Sequence, residues 1–562
     1  MVSKLVQEWL RLDKNPQSRA EIEDLAKQDP EKLEHLMSPR IAFGTAGLRA
    51  SMEPGFGRMN HVTVLQASQG LAVYVEKNVE DAHARGIVVG HDHRHHSKEF
   101  AALTVLAFAS RGFKVTFLGQ VHTPSVPFAI DLKRAACGVM ITASHNPAKD
   151  NGYKVYWSNG CQIIPPHDSG IAAAIQDNLE PWTWDIDSVS EILDNPVSIT
   201  EEYFKSYDSH TYTAVDTDLK FVYTPMHGIG LPYFEQAAKM LGITNQCVIV
   251  KEQATPDPDF STVKFPNPEE KGALDLAYKY GDEHGATVVL ANDPDADRFS
   301  CAVKTEHGWQ QLKGDEVGTL LADFLIKHTK GVAKDKIALL NSTVSSQVTR
   351  HLAEHYGCHY EETLTGFKWL GNKAIDLEKE GYTPVLAYEE ALGYMCGGVH
   401  DKDGVSALHV FVQLLACLQG GALAELERIS KLVGYFSQYN SYYTVSNPSQ
   451  TNKVFARIRS NGIPTKIGAL EVVKWRDLTT GYDSEQPDHK PALPVSKSSE
   501  MITAEVKYKS GTARFSTRGS GTEPKIKVYI EARADNAEDA EVIAKGVWDI
   551  LGKEWFENLP SA

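Results

Sequence analysis

The sequence predicts an α/β protein with three similar mixed-sheet units followed by a C-terminal α+β domain. Its 562 residues are too many for one hydrophobic core, so three or four domains are expected. Apolar strand-like runs alternate with helical patterns in three successive passes along the chain. After about residue 440 this alternation stops, and strands with a terminal helix follow. The predicted domains are 1–210, 211–325, 326–440 and 441–562.

The first unit begins with charged helices in residues 1–40 and then alternates strands and helices. A helix is predicted at 97–112, with Ser97 as its N-cap and Gly112 as its C-terminal stop. The predicted strands are "GIVVG" at 86–90, "KVTFLG" at 114–119 and "CGVMIT" at 137–142. The last of these strands runs directly into the polar loop "TASHNP".

The second and third units repeat the alternation, and each ends one strand on an unusual polar loop. The predicted strands are 219–224, 247–252, 286–291, 336–341 and 384–388. Strand 286–291 leads into "NDPDADR", and strand 384–388 leads into "EEALGY". Ligands of open parallel sheets bind beyond the carboxyl ends of the strands. The three loops are therefore expected to meet in one cleft.

The C-terminal domain is predicted to contain strands at 505–511 and 525–534 and a helix at 537–551. The loop "STRGSGTEPK" lies just before the second of these strands. The polar and aromatic stretch 435–450 is interpreted as the linker into this domain.

Composition and charge argue against several functional classes. The chain has 57 Lys plus Arg against 73 Asp plus Glu, and a net charge of −16 disfavours nucleic acid or anionic membranes as general partners. Early charged residues argue against a signal-peptide core, and no apolar run approaches the length of a membrane span. Seven scattered cysteines without CxxC pairs indicate reduced thiols. We expect a cytoplasmic enzyme that acts on small molecules.

The loop "DPDADR" is the first candidate site. Asp293, Asp295 and Asp297 alternate within it, and carboxylates this close repel one another unless a cation lies among them. Hard oxygen ligands suit Mg²⁺ or Ca²⁺ rather than zinc, although an acidic solvated turn would have the same sequence. The position directly after an apolar strand, with Arg298 adjoining, favours the metal site.

The loop "TASHNP" is the second candidate site. A serine hydroxyl is a poor nucleophile unless a base or a metal activates it, and a phosphorylated serine needs positive charge nearby. In isolation, Ser144 is explained as a turn hydroxyl and His145 as a surface or capping residue. Together with the three aspartates they indicate phosphoryl transfer through a phosphoserine.

Three further features carry weaker signals. Glu389 and Glu390, at a strand end, can accept hydrogen bonds from sugar hydroxyls or can be surface charge. Lys402 in "HDKDG" is either a proton carrier or a lysine paired with its acidic neighbours. The histidines of "HDHRHH" are conceivable zinc ligands, but the position between strand and helix and the central arginine favour an ordinary loop.

The loop "STRGSGTEPK" is the fourth candidate site. It combines a guanidinium group, two hydroxyls and exposed backbone N–H groups in Arg518, Gly519, Ser520, Gly521 and Thr522. Such a set cradles a phosphate that does not react. A glycine-rich hairpin without a ligand is the alternative.

These four loops, in this order, resemble those of the α-D-phosphohexomutase superfamily, which includes phosphoglucomutase and phosphomannomutase. The likeness covers nearly the whole chain, from "FGTAGLR" at Phe43 to "KVYIEARA", and "TASHNP" with "DPDADR" is its most specific part. The resemblance implies four domains around a deep central cleft, of which three are similar α/β domains and the last has a different fold.

The resemblance also implies roles for individual residues. Ser144 looks like the phosphoserine, Lys154 matches a lysine of the family's serine loop, and His145 and Lys402 match residues proposed for proton transfer. The residues that match the metal site are Ser144, Asp293, Asp295 and Asp297. The residues that match substrate-binding positions are Arg49, Arg298, Thr365, Gly366, Lys368, Glu389, Glu390, Arg518, Ser520, Gly521 and Thr522.

The implied activity is the interconversion of glucose 1-phosphate and glucose 6-phosphate by a phosphoserine enzyme, through a bisphosphorylated sugar. The expected cofactors are Mg²⁺ and glucose 1,6-bisphosphate, or the matching pentose bisphosphate, and the expected assembly is a monomer or a dimer. Where glucose and mannose enzymes have serine in the sugar loop, this chain has Ala391. It therefore looks closer to phosphopentomutase and to glucose-1,6-bisphosphate synthase, and both activities are alternatives.

Overall fold

The computed structural model describes residues 2–520 and 524–561, which form two compact units. Unit 1 comprises the residues up to Leu340 together with Gly366–Leu418. Unit 2 comprises Asn341–Thr365 and the residues from Gln419 onward. Each unit therefore combines segments that are distant in sequence.

The first part of unit 1 is a five-stranded mixed sheet with helices. The helices are α1 (Val2–Leu12), α2 (Pro16–Gln28), α3 (Pro30–Met37), α4 (His61–Asn78), α5 (Ala82–Arg85), α6 (Ser97–Ala109), α7 (Ser125–Lys133), α8 (His167–Gln176), α9 (Ser190–Asp194) and α10 (Thr200–Lys205). The strands are β1 (Leu48–Ser51), β2 (Ile87–His91), β3 (Val115–Gln120), β4 (Cys137–Ile141) and β5 (Asp150–Trp157). Their order is β1-β5-β4-β2-β3, with β2 parallel to β3 and β4 and with β5 antiparallel to β4 and β1.

Helix α6 shows how the sequence shapes this part of the unit. It begins at Ser97 after His96, which adopts a left-handed conformation, and Gly112 beyond its end has a φ of +79°. Ser97 is therefore the first helical residue and not the predicted N-cap, and its hydroxyl donates to Asp92 at 2.5 Å. Apolar residues of α6, α4 and the sheet, such as Phe100 and Val139, form the core and bury the helix face.

A second five-stranded sheet follows in unit 1. Its elements are β6 (Phe221–Thr224), α11 (Leu231–Leu241), β7 (Cys247–Ile249), α12 (Lys251–Ala254), α13 (Asp275–His284), β8 (Val288–Asn292), β9 (Phe299–Thr305) and β10 (Gly308–Gln311). The order is β10-β9-β8-β6-β7, with β6 parallel to β7 and β8 and with β9 antiparallel to β8 and β10. Strand β8 is buried along its whole length, as its apolar sequence predicts.

The next elements are divided between the two units. They are α14 (Gly314–His328), β11 (Ile337–Ser342), α15 (Val348–Tyr356), β12 (His359–Thr363), α16 (Phe367–Lys379), β13 (Thr383–Glu389), β14 (Gly393–Met395), α17 (Gly404–Cys417) and α18 (Gly421–Val433). Within unit 1, β13 lies between β11 and β14. Among the described residues no single helix has both the length and the apolar composition to cross a membrane. Helices α17 and α18 have sufficient length and apolar composition only when they are taken together, as a pair interrupted at 418–420.

The remainder of unit 2 is built on a largely antiparallel sheet. Its elements are β15 (Tyr435–Thr444), α19 (Pro448–Arg459), β16 (Lys466–Ile467), β17 (Leu470–Asp477), β18 (Tyr482–Asp483), β19 (Met501–Tyr508), β20 (Gly511–Gly519), β21 (Lys525–Ala534) and α20 (Ala537–Glu554). The strand order is β15-β21-β20-β19-β17-β16. Helix α20 packs Val547 and Leu551 into the apolar cluster formed by residues such as Phe515 and Val528.

The prediction of a linker at 435–450 is wrong for its first ten residues, because these form β15. This strand pairs antiparallel with β21 along its whole length. Tyr443 stacks on Trp548 of α20 with ring centroids 4.6 Å apart. The strand was not predicted because its many polar residues give no clear alternation of apolar and polar positions, and it is only half-buried.

Candidate active site

The serine loop, residues 142–147, follows β4 directly. Ser144 has a φ of +53°, in the left-handed region that residues with a β-carbon seldom adopt, so the loop turns sharply at this residue. Its N–H donates to Thr142 Oγ1 at 2.9 Å, and its Oγ lies 3.3 Å from His145 Nδ1. The Ser144 hydroxyl is therefore held at the end of a buried strand, within reach of an imidazole.

Arg94 holds the serine loop through backbone carbonyl groups. Its Nη2 donates to the carbonyls of Ser144 and Asn146, each at 2.7 Å, and its Nη1 donates to that of Pro147 at 2.9 Å. The buried guanidinium group is paired with Asp92 at 3.3 Å. Arg94 was not predicted from the sequence as a site residue, because it lies in the histidine-rich stretch interpreted as an ordinary loop. Its position just after β2, at the carboxyl end of a parallel strand, was the available signal.

The aspartate loop, residues 292–298, follows β8 in the same way. Its three carboxylates are fully buried. One ligand atom from each of Asp293, Asp295 and Asp297 lies within 4.8 Å of the others. Asp293 Oδ2 lies 2.7 Å from Ser144 Oγ, so loops from two different sheets of unit 1 meet at one point. The structure thus brings together the two predicted sites that carry the most specific motifs.

The aspartate loop fits a divalent cation. Within the part of the chain that the structure describes, Asp295 Oδ1 and Asp297 Oδ1 are buried without a hydrogen-bond partner. Buried acceptors without a partner are rare in folded proteins, and carboxylate oxygens are the ligands that Mg²⁺ prefers. The three aspartates, with the Ser144 oxygen completing the set, would hold such an ion.

Two lysines approach the other oxygens of the same carboxylates. Lys154 Nζ lies 2.8 Å from Asp295 Oδ2 and 2.9 Å from Asp297 Oδ2. Lys402 Nζ lies 3.3 Å from Asp297 Oδ2. Burial opposes the charge of Lys154, but the carboxylates of Asp295 and Asp297 more than offset it, so its pKa is raised. We refer to Ser144, the aspartate loop and these two lysines as the reaction centre.

The environment of the reaction centre shifts the pKa values of its groups in different directions. Burial, reinforced by the neighbouring carboxylates, raises the pKa of Asp293 well above its ordinary value. Burial acts on Asp295 in the same direction, but the Lys154 ammonium and hydrogen bonds outweigh it and lower the pKa of Asp295. Burial, together with the charge of Arg298, lowers the pKa of His145 well below 6.5, so its imidazole is neutral at pH 7. A neutral imidazole beside Ser144 Oγ can accept a proton.

Arg298 connects the aspartate loop to the sugar loop, residues 389–394. Its N–H donates to Asp293 Oδ1 at 2.9 Å, and its Nη1 donates to the carbonyl oxygen of Ala391 at 2.8 Å. Arg49 Nη1 lies 3.4 Å from Asn146 Oδ1 of the serine loop. Both predicted site arginines of unit 1 therefore lie beside the reaction centre.

The remaining predicted substrate residues of unit 1 cluster around the sugar loop. Glu389 Oε1 accepts a hydrogen bond from Gly366 N at 2.5 Å. Burial, with the neighbouring charge of Glu390, raises the pKa of Glu389. Lys368 Nζ donates to the hydroxyl of Thr45, which lies in the "FGTAGLR" segment. These residues present carboxylate and ammonium groups in one area of unit 1.

In unit 2 the structure places Thr365, Arg518 and Ser520. Arg518, on β20, donates through Nη1 to Thr365 Oγ1 at 2.9 Å, and Ser520 N donates to the carbonyl of Lys525 at 2.9 Å. Gly521 and Thr522, predicted for the same phosphate loop, lie outside the described residues.

Two further arginines of unit 2 were missed by the sequence analysis. Arg476 on β17 and Arg514 on β20 share the carboxylate of Glu362, with Arg514 Nη2 at 2.7 Å, and both donate to Thr343 Oγ1. Arg514 and Arg518 are four residues apart in a strand and therefore on one face of the sheet. The even spacing between Arg514 and the predicted Arg518 was the feature of the sequence that could have revealed Arg514. We refer to Arg476, Arg514 and Arg518 as the arginine face.

Three family models match the chain. Residues 40–181, 201–308 and 313–433 match the phosphoglucomutase/phosphomannomutase alpha/beta/alpha domains I, II and III. The solved structure of the Paramecium phosphoglucomutase pp63/parafusin has a TM-score of 0.67 and 17% sequence identity, covering 93% of this chain and 97% of that one. This structure supports the fold alone.

Curated relatives match almost the whole chain at higher identity. A probable phosphoribomutase of Schizosaccharomyces pombe is 47% identical, covering 99% of this chain and 98% of that protein. A phosphopentomutase of Homo sapiens is 45% identical, with coverage of 93% and 90%. A human glucose 1,6-bisphosphate synthase is 40% identical, with coverage of 93% and 89%.

These matches define the class of the protein. The chain belongs to the α-D-phosphohexomutase superfamily, and it is a phosphosugar mutase with three α/β domains and a β-rich C-terminal domain. The family membership, the fold class and the enzymatic nature predicted from the sequence are confirmed.

Proposed function

We propose that this enzyme is a phosphopentomutase that interconverts ribose 1-phosphate and ribose 5-phosphate. The observation that carries the chemistry is the 2.7 Å distance between Ser144 Oγ and Asp293 Oδ2. The pentose is supported by the names of relatives such as the probable phosphoribomutase and the phosphopentomutase. Interconversion of glucose 1-phosphate and glucose 6-phosphate, the first expectation from sequence, is not confirmed.

The reaction has two transfers. In the first, the bond between Ser144 Oγ and phosphorus breaks, a bond from phosphorus to a sugar hydroxyl forms, and the hydroxyl proton passes to a base. The product is a pentose bisphosphate. In the second, the bond between the other sugar oxygen and its phosphorus breaks, a bond from this phosphorus to Ser144 Oγ forms, and the base returns its proton to the freed sugar oxygen. Ser144 is therefore phosphorylated at the start and at the end of each cycle.

The side chains of unit 1 have distinct tasks in these transfers. Arg94 fixes the serine loop, so the nucleophile is already oriented. The neutral imidazole of His145, 3.3 Å from Ser144 Oγ, holds the proton exchanged with the hydroxyl. Arg298 has a buried Nε without a hydrogen-bond partner among the described residues, which can donate to the transferring group. A bound Mg²⁺ would supply charge neutralisation to the transferring phosphoryl group.

The arginine face of unit 2 is proposed to bind the phosphate that does not react. Arg518 Nε and Arg476 Nε are buried without hydrogen-bond partners among the described residues, so donors are available for phosphate oxygens. Around unit 1's sugar loop, Glu389 and Lys368 are proposed to bind sugar hydroxyls. The bisphosphate must bind in both orientations, so the group that holds its distal phosphate must accept a phosphate from either end of the sugar. The arginine face suits this role because guanidinium groups contact the phosphate alone.

The test compares initial rates on ribose 1-phosphate and glucose 1-phosphate at matched concentrations, with Mg²⁺ and the corresponding bisphosphate. A kcat/KM at least tenfold higher for ribose 1-phosphate is expected. A preference for glucose 1-phosphate would contradict the pentose assignment. Size-exclusion chromatography would test the proposed monomer or dimer, and cell fractionation would test the proposed cytoplasmic location.

A second candidate is the synthesis of glucose 1,6-bisphosphate, which is supported by the relative named for that activity. The discriminating reagent is 1,3-bisphosphoglycerate as phosphoryl donor. Net formation of hexose bisphosphate from this donor and glucose 1-phosphate, faster than pentose isomerisation, would favour the synthase.

A further inference from the structure

Lys402 reaches the aspartate loop from residues 400–404, here called the lysine segment. Its ammonium lies 3.3 Å from Asp297 Oδ2, and its side chain is 12% exposed. Ordering a long lysine side chain costs conformational entropy. The backbone that carries Lys402 must therefore be firmly held if the ammonium is to stay on Asp297.

The side chain of Lys402 follows a path that depends on Gly393 of the sugar loop. A β-carbon at Gly393 would lie 2.4 Å from Lys402 Cδ, so only glycine leaves this path open. The ammonium lies 5.7 Å from the centroid of the Phe367 ring. These contacts guide the end of the side chain, whereas the backbone of the lysine segment is held elsewhere.

Asp401, the residue before Lys402, accepts hydrogen bonds from three sides. Tyr156 Oη donates to Asp401 Oδ2 at 2.8 Å, and Gln162 Nε2 donates to it at 3.0 Å. The backbone N–H of Lys402 donates to Asp401 Oδ1 at 2.8 Å. Asp401 and Tyr156 are both fully buried. A buried carboxylate that loses a hydrogen-bond donor is destabilised, so Asp401 stays where its donors hold it.

Tyr156 lies on β5 two residues after Lys154, and therefore on the same face of the strand. Lys154 Nζ contacts Asp297 Oδ2 directly, at 2.9 Å. Tyr156 reaches the same oxygen indirectly, through Asp401 and then Lys402. One strand thus sets both ammonium groups that converge on Asp297 Oδ2.

Asp403, the residue after Lys402, is held from a second direction. Its Oδ1 accepts hydrogen bonds from the N–H groups of Val405 and Ser406 as the N-cap of α17, and its Oδ2 accepts one from Tyr203 Oη at 2.7 Å. In the described part of the chain, neither flanking carboxylate forms an ion pair with the Lys402 ammonium, whose ion pair is with Asp297. The acidic neighbours therefore anchor the backbone and leave the ammonium to the reaction centre.

We propose that Tyr156 is a positioning residue for phosphoryl transfer: through Asp401 it places the Lys402 ammonium on Asp297, within the reaction centre. The ammonium in this place donates to the carboxylate cluster and is available to the transferring group. The inference rests on the proposed phosphoserine mechanism and is independent of which sugar the enzyme prefers.

The test compares Tyr156→Phe with Tyr153→Phe. Tyr153 lies on the same strand, is equally buried, and has its Oη 2.9 Å from Ser68 Oγ, on the other face of β5. Tyr156→Phe is expected to lower kcat about tenfold, with KM changed by less than about twofold. Tyr153→Phe is expected to leave kcat and KM unchanged. It should lower the thermal midpoint of unfolding about as much as Tyr156→Phe does.

The deciding readout is a double-mutant cycle with Lys402→Ala. If Tyr156 acts through Lys402, Tyr156→Phe has no further effect on kcat in the Lys402→Ala enzyme, a coupling of about 1.4 kcal/mol for the expected tenfold change. If the losses of kcat caused by Tyr156→Phe and Lys402→Ala multiply in the double variant, the proposal is overturned. An unchanged kcat in Tyr156→Phe alone would overturn it as well. If Tyr156→Phe does not fold, Asp401→Asn replaces it in the same cycle.

The cycle is measured with both ribose 1-phosphate and glucose 1-phosphate, so that two failures can be told apart. A wild type that prefers glucose 1-phosphate, with the coupling present, contradicts the pentose assignment and supports the positioning role. A wild type that prefers ribose 1-phosphate, with no coupling, supports the assignment and overturns the positioning role.

Discussion

The carboxylates of the reaction centre in unit 1 and the guanidinium groups of the arginine face in unit 2 leave opposite kinds of polar atoms without partners. In the reaction centre, Asp295 Oδ1 and Asp297 Oδ1 are buried acceptors without donors among the described residues. On the arginine face, the Nε atoms of Arg476 and Arg518 are buried donors without acceptors in the same described part of the chain. Because buried polar atoms are normally paired, these carboxylates fit a cation and these guanidinium groups fit an anion.

The two sites also differ in how their own charges are balanced. In the reaction centre, two ammonium groups contact Asp297 and one of them also contacts Asp295, so the carboxylates are partly neutralised from one side. On the arginine face, one carboxylate, Glu362, holds two guanidinium groups. Each arrangement fixes the geometry of like charges before a ligand arrives, which reduces the reorganisation needed on binding.

The largest expected effect is that of Ser144→Ala on the reaction centre. Removal of the hydroxyl removes the group that carries the phosphoryl, so mutase turnover should fall by a factor on the order of 10⁴ or more. Coupled assay of the isomerisation and mass spectrometry of the peptide containing residue 144 measure the loss. Ser68→Ala, at another buried serine, is the control and should retain activity. Substantial turnover in Ser144→Ala would remove the phosphoserine from the mechanism.

Asp295→Asn tests the cation half of the comparison. Loss of one carboxylate charge should weaken Mg²⁺ binding on the order of 10- to 100-fold and lower the rate at limiting metal. Titration calorimetry with Mg²⁺ measures the affinity independently of turnover. Asp259→Asn, at an exposed aspartate hydrogen-bonded to His95, is the control. Equal Mg²⁺ affinity in both variants would place the ion elsewhere.

The pH dependence of stability tests the internal balance of the arginine face. The guanidinium groups of Arg514 and Arg476 outweigh the effect of burial and lower the pKa of Glu362 from its ordinary 4.5 to about 2. The folded protein thus binds fewer protons here than the unfolded chain. The resulting stabilisation is complete above pH 4.5 and is lost as the pH falls towards 2, by about 2 kcal/mol between pH 5 and pH 3.

Calorimetric unfolding of the wild type and of Glu362→Gln at several pH values isolates this contribution. The wild type should be the more stable protein at pH 5, and the difference in the free energy of unfolding should shrink as the pH falls to 3. A difference that is constant over this range would mean that Glu362 keeps an ordinary pKa.

The smallest expected effect is that of Arg518→Lys on the anion half of the comparison. Lysine retains the charge but loses the planar fork that suits phosphate oxygens, so KM should rise about tenfold while kcat changes much less. Inhibition by inorganic phosphate should weaken in parallel. Arg428→Lys, in a helical ion pair with Glu425 elsewhere in unit 2, is the matched control. A fall in kcat at constant KM would show that Arg518 acts on the transition state instead.

The strand-end loops show how far prediction from sequence reaches. The runs before Ser144 and Asp293 are apolar, short and followed by unusual polar residues, and local pattern is sufficient to find them. The rule for the carboxyl ends of strands indicates a ligand site at each loop, but Ser144 and Asp293 follow strands of two different sheets, so their contact was decided by the tertiary structure. By contrast, β15 was missed because its alternation is weak and its stability comes from pairing with β21, which is distant in sequence.

The sequence by itself determined the family, the α/β alternation and the chemistry of the aspartate and serine loops, because these features are contained in short contiguous segments. Only the tertiary structure decided which side chains hold them. Arg94 on the serine loop, Tyr156 on Asp401, and Glu362 between two arginines are contacts between residues dozens to hundreds of positions apart. Such contacts depend on how buried charges find partners once the chain is packed, and no local pattern encodes that choice.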